Sequence, residues 1–149
     1  TPQAVNFMAR HGRGLVYMQD RATPDVKDVI VIEAGPGDKV VIPPGWAHAT
    51  VNVGDGPMAF GAVYALEAQL LYEPLRRLQG TAHYVLADGT LEPNPRYRSV
   101  PPARRELPHE IPEHGIGHGR PALSGEPALL ELVSRPERYP AVWKRLVTG

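Results

Sequence analysis

The residue best placed to do chemistry is His48. It follows Pro43-Pro44-Gly45 after two intervening residues, and Thr50 and Asn52 follow it at alternate positions. Proline holds φ at about −65° and glycine accepts positive φ, so the triplet forces a sharp turn between two β-prone stretches, Lys39–Ile42 and Ala47–Asn52. The two-residue period of a strand then puts His48, Thr50 and Asn52 on one face and Ala47, Ala49 and Val51 on the other. An imidazole held just after a forced turn is rigid, as a metal ligand or a general base must be. Taken alone, such a residue is more often a hydrogen-bonded core histidine.

A second group is His109, His114 and His118, with Glu110 and Glu113 between them. Such donors could bind zinc or nickel, but HEIPEH is not H-E-x-x-H, and Pro112 opposes a helix that would align them. They read more simply as a polar surface arm. Gly115-Ile116-Gly117-His118-Gly119 is glycine-rich, yet it follows no strong strand and opens no helix, which excludes a dinucleotide loop. The basic pairs Arg76-Arg77, Arg104-Arg105 and Lys144-Arg145 read as solvated charge.

The elements that must position His48 are short strands. Residues 4–9 form one, with Val5, Phe7 and Ala9 sharing a face, and Gly12-Arg13-Gly14 turns the chain into a second over 15–19. After a polar loop come 29–34 (VIVIEA), the central motif, a hairpin turn at 54–57 and a strand over 58–64. Strands of this length, broken by Gly and Pro, predict a barrel or sandwich. Residues 65–78 are helix-prone, with Pro74 dividing them into two short pieces. Asp88-Gly89 marks a hairpin, and 93–127 is a Pro- and Gly-rich arm. Two short helices over 127–133 and 136–146 close the chain, each with Pro near its start.

The 149 residues suffice for one domain. Sixteen basic residues balance sixteen acidic ones, so no global field favours nucleic acid or an anionic membrane. The absence of cysteine removes disulfides and thiolate metal sites, and fits a cytoplasmic setting. No apolar run reaches the length of a membrane span. Seventeen prolines and fifteen glycines fit a loop-rich β protein.

The spacing G-x5-P-x-G-x2-H-x3-N from Gly37 to Asn52 resembles the second motif of the cupin superfamily. From Gly12 to about Arg96 the chain is similar, more closely, to the archaeal-type cupin glucose-6-phosphate isomerases. The likeness rests on Gly12-Arg13-Gly14 and Gln19, on PPGWAHATVNVGDGP from Pro43 to Pro57, on Tyr64 and Tyr72, and on Asn94-Pro95-Arg96-Tyr97.

The resemblance implies an all-β cupin double-stranded β-helix, a jelly-roll barrel over 1–98 with its first strands missing. Residues 99–149 would be a Pro-rich arm and two short helices, packed on the barrel or on a partner. It implies a metal-dependent aldose–ketose isomerase acting on glucose 6-phosphate and fructose 6-phosphate. His48 would ligate a divalent metal (Fe, Mn, Ni or Zn), Tyr64 and Tyr72 would be catalytic, and Thr50 and Trp46 would bind substrate. The family's other ligands, an HxH pair and a Glu, precede the GRG turn. Here no HxH precedes Gly14, Val5 falls where the Glu belongs with Gln3 nearby, and Leu70-Leu71 replaces a His-Asp pair. The chain is thus expected to be the C-terminal part of a longer protein or a reduced relative. The alternative function is a metal-free cupin serving as a binding or assembly module. Either form is expected to be a homodimer or larger, because an incomplete barrel exposes an apolar sheet edge.

Overall fold

The computed structural model describes residues 5–120 and 126–148, with side chains from residue 11 onward. The expectations for Gln3 and Ala4, for the side-chain faces of Val5, Phe7 and Ala9, and for 121–125 of the arm lie outside the described residues.

The chain is mostly β-strand. In order it forms β1 (Val5–His11), β2 (Gly14–Gln19), β3 (Val29–Ala34), β4 (Lys39–Ile42), β5 (Ala47–Asn52) and β6 (Ala59–Tyr64). There follow a short helix α1 (Glu73–Arg77), β7 (His83–Val85), β8 (Leu91–Pro93) and β9 (Arg104–Glu106). Helices α2 (Pro127–Ser134) and α3 (Pro140–Thr148) come last. One sheet has the order β4-β1-β6 and a second has β5-β2-β3-β9, while β7 and β8 pair as a hairpin. All pairings are antiparallel except that of β3 with β9.

β2 and β3 are neighbours in one sheet, but from β3 to β6 each strand passes to the other sheet. The turn at 54–57 therefore corrects a sequence expectation: β5 pairs with β2 and β6 with β1, so this turn joins two sheets and closes no hairpin. Asn52 sets the bend, because its Oδ1 accepts from Gly54 N at 3.0 Å and its Nδ2 donates to Gly56 O at 2.8 Å. The Gly12 turn packs directly against it. Gly12 has φ +82°, and a Cβ there would lie 2.6 Å from Pro57 O.

Each face of the strands buries a different cluster. Val16, Met18, Ile30, Ile32, Val40 and Ile42 meet between the sheets. Leu15, Tyr17, Val29 and Val31 face the other way, against Ala82 and Tyr97. Behind the first sheet, Val41 packs with Ile111, Ile116, Leu129, Leu132 and Leu146. Burial on both faces explains why β2 reads as a continuous apolar run rather than an alternating one.

The later part of the chain also covers strand edges. β9 pairs with β3, and at β4 the backbone N of His109 donates to Lys39 O at 3.1 Å while Val41 N donates to His109 Nδ1 at 2.9 Å. Sequence patterning did not reveal the strand at 104–106. Among the described residues no strand pairs with the outer edges of β5 or β6, so the two sheets are not joined into a closed barrel.

The helical expectations need two adjustments. Only Glu73–Arg77 is helical in the 65–78 stretch, with Pro74 in the first turn. Proline is accepted in the first turn of a helix because its missing N–H would be unpaired there anyway, so the helix starts at Glu73, with Pro74 next, and no helical piece precedes it. At the C-terminus, Pro140 restarts the chain after a 3-10 turn at Pro136–Arg138, which splits the expected second helix. No helix among the described residues is long and apolar enough to cross a membrane.

Candidate functional site

The Pro-Pro-Gly turn carries the chain from β4 in one sheet to β5 in the other. Gly45 has φ +81°, and Trp46 N donates to Pro43 O at 3.2 Å to close the turn. β5 then presents His48 and Thr50 to a cavity of about 440 Å³ between the open sides of the sheets. Tyr64 reaches it from the end of β6, and Tyr72 from the residue before α1. Ile42, Phe60 and Leu70 supply apolar wall. Among the described residues no Lys, Arg, Asp or Glu lines the cavity.

His48 is partly buried, and loss of solvation holds its imidazole below the usual histidine pKa. Its Nδ1 lies 3.5 Å from Trp46 O. A carbonyl can only accept, so this long contact favours the tautomer with hydrogen on Nδ1 and leaves the Nε2 lone pair available. A neutral imidazole of this kind can accept a proton or bind a metal. Tyr64 and Tyr72 remain 50% and 64% exposed, so their hydroxyls are open to an incoming ligand.

The structure thus brings His48, Thr50, Tyr64 and Tyr72 together. Trp46 is placed differently: it packs against the cluster between the sheets and lines an adjoining crevice with Leu70, Leu71 and Tyr72. Patterning overlooked Phe60, although the period of two along β6 puts Phe60 and Ala62 on the face of Tyr64. Leu70 and Leu75 carried no such signal, because they lie outside strands.

The donor set does not make a metal site. Among the described residues no group of three or more His, Cys, Asp or Glu converges. The other described polar side chains at the cavity are neutral hydroxyls, and a structural or catalytic metal needs three or four ligands. The His-rich segment does not supply them. His109 is tied to β4, His114 Nδ1 lies 2.9 Å from Ala128 O, and His118 Nδ1 lies 2.7 Å from Asp38 Oδ1. Lys39 anchors the same segment by donating to Gly117 O.

Other residues that carried the resemblance are structural here. Buried Gln19 accepts from Ala82 N at 2.8 Å and donates to Arg21 O at 2.7 Å. Asn94 donates to Leu78 O and Thr81 O and accepts from Tyr84 and Arg96, while Tyr97 donates to Gly80 O. Together these bonds fix the chain after α1. Of the basic pairs, Arg77, Arg104, Arg105 and Arg145 are engaged. Arg104 binds Asp28, Glu106 and Val147 O, Arg105 pairs with Glu33, Arg77 with Glu73, and Arg145 with Glu113.

Residues 5–102 match the family described as Glucose-6-phosphate isomerase. Curated relatives carry that name. The protein of Pyrococcus furiosus is 42% identical over 62 residues, 42% of this chain and 31% of that protein. That of Thermococcus litoralis is 33% identical over 95 residues, 62% of this chain and 47% of its own. That of Thermococcus onnurineus is 36% identical over 96 residues, 62% of this chain and 48% of its own. The matched region thus spans 31% to 48% of these relatives' own length.

Proposed function

We propose, from the premise that this chain belongs to the glucose-6-phosphate isomerase family, that the His48 cavity is part of a site interconverting glucose 6-phosphate and fructose 6-phosphate. One observation carries the reading. His48, Thr50, Tyr64 and Tyr72, spread over three elements inside the matched region, line one cavity.

Aldose–ketose exchange moves hydrogen between adjacent carbons and rearranges charge on their oxygens. In this reading the Tyr64 and Tyr72 hydroxyls donate to those oxygens and pass protons, and Thr50 orients a neighbouring hydroxyl. Neutral His48 holds a lone pair at the same wall. The apolar surface of Ile42, Phe60 and Leu70 gives the carbon skeleton of a ligand a wall to pack against. Trp46 supports His48 from behind and would meet substrate only through the adjoining crevice.

A divalent metal, when bound, supplies Lewis-acid polarisation of the sugar oxygens. His48 would be one of its ligands, and the rest would come from outside the described residues. In the same reading the two sheets are parts of a cupin jelly-roll barrel over 1–98, with 99–149 appended. The protein would be a cytoplasmic homodimer or larger assembly, without nucleic-acid or membrane partners. Among the described residues His48 is the one strong metal-binding side chain at the cavity, which favours a second reading, a metal-free binding or assembly module.

Elemental analysis of the purified chain and of His48→Ala, with a fructose 6-phosphate isomerisation assay, separates the two. About one metal per chain, lost with His48 together with turnover, supports the isomerase. A chain that stays metal-free and inactive when Fe, Mn, Ni or Zn is supplied overturns it in favour of the module.

A further inference from the structure

A cationic side chain strengthens the binding of a phosphate ester, and among the described residues none lines the His48 cavity. One candidate lies past Tyr64. That side chain also lines a second cleft of about 680 Å³, whose other walls include Leu130, Ser134 and Arg135 of the α2 end, with Glu67 and Glu137. α2 packs against β6, the strand of Tyr64, and is anchored by buried Leu129, Leu132 and Val133. Arg135 is exposed, and its backbone N donates to Glu131 O at 2.8 Å. Arg138 and Arg145 form ion pairs with Glu131 and Glu113, whereas Arg135 forms none among the described residues.

We propose that Arg135 is an anion subsite beside Tyr64, holding the phosphate of a ligand whose reacting end reaches His48. This rests on the isomerase reading for the identity of the ligand. The planar guanidinium offers paired donors that match phosphate oxygens. Glu67 and Glu137 line the same cleft and oppose negative charge, so they set the sign of a second test: removing one must strengthen anion binding. Arg135 also lies beyond the matched residues 5–102. The subsite therefore belongs to the C-terminal extension.

The experiment is calorimetric titration of fructose 6-phosphate, and separately of inorganic phosphate, into the chain, Arg135→Gln and Glu137→Gln, with circular dichroism confirming the fold. Loss of a charge-assisted hydrogen bond predicts weaker binding of both ligands to Arg135→Gln by about tenfold or more. Glu137→Gln binds both a few-fold tighter, and added salt shrinks both effects. Tight sugar-phosphate binding unchanged in Arg135→Gln overturns the subsite and leaves the isomerase reading standing. Arg135-dependent binding of inorganic phosphate without any of fructose 6-phosphate keeps the subsite and sinks that reading. Binding of neither ligand, or equal weakening in both variants, overturns the subsite.

Discussion

His109 should make this protein acid-sensitive, and the size of the effect follows from its surroundings. Its Nδ1 accepts from Val41 N at 2.9 Å, and its buried Nε2 has no hydrogen-bond partner among the described residues. A protonated ring could no longer accept at Nδ1 and would bury a charge. Desolvation accordingly lowers its pKa from 6.5 to about 4. The sign is fixed by linkage. Below pH 6.5 the unfolded chain binds a proton that the native state refuses, so stability is full above 6.5 and falls as pH drops. The loss levels off once the native ring protonates near 4. At pH 4.5 this amounts to roughly 2–3 kcal/mol. His48 and His83, whose pKa values are also lowered by burial, act in the same direction, so the effect must be isolated by substitution. His109→Gln keeps an acceptor for Val41 N without titrating. Urea unfolding of both proteins at pH 7 and pH 4.5, followed by Trp46 and Trp143 fluorescence, gives the comparison. The stability drop between the two pH values should be smaller in the variant by that amount. An equal drop in both proteins would refute the argument that this ring is held neutral on the β4 edge.

Three other perturbations test the site and its frame. Gly12→Ala forces an L-residue to φ +82° with its Cβ 2.6 Å from Pro57 O, so thermal unfolding should report a loss of at least about 1–2 kcal/mol. Leu132→Ala, in the fully buried cluster behind β4, should cost about 2–5 kcal/mol in urea unfolding; a change below 1 kcal/mol would mean that α2 is not docked there. Tyr72→Phe should lower isomerase turnover by about 10²-fold with the fold intact, and turnover at the wild-type level would remove its hydroxyl from the proposed chemistry.

Much of the frame was readable in the chain because it depends on local chemistry. Pro43-Pro44-Gly45 forces a turn, and VIVIEA and LVYMQ, rich in β-formers and bounded by turn residues, read as strands. Asp88-Gly89 is a hairpin signal, and Gly89 takes φ +82° between β7 and β8. The turn at 54–57 was misread because hairpin chemistry says nothing about which sheet the next strand joins. That choice is made by the close packing of Gly12 on Pro57 and Met58, some forty-five residues away. β9 was hidden for a related reason: a three-residue strand rich in charge forms only because the edge of β3 is there to pair with.

The candidate site divides in the same way. Alternation along β5 put His48 and Thr50 on one face from sequence alone, since side-chain direction in a strand is a backbone property. Sequence also identified Tyr64 and Tyr72, through resemblance. What only the tertiary structure decided is that Phe60 and Leu70 wall the same cavity, that Asn52 and Gln19 serve turns and backbone rather than the cavity, and that the three C-terminal histidines go to separate partners. Those outcomes depend on which surfaces meet across the fold. The contacts join residues dozens of positions apart, and no local preference encodes them.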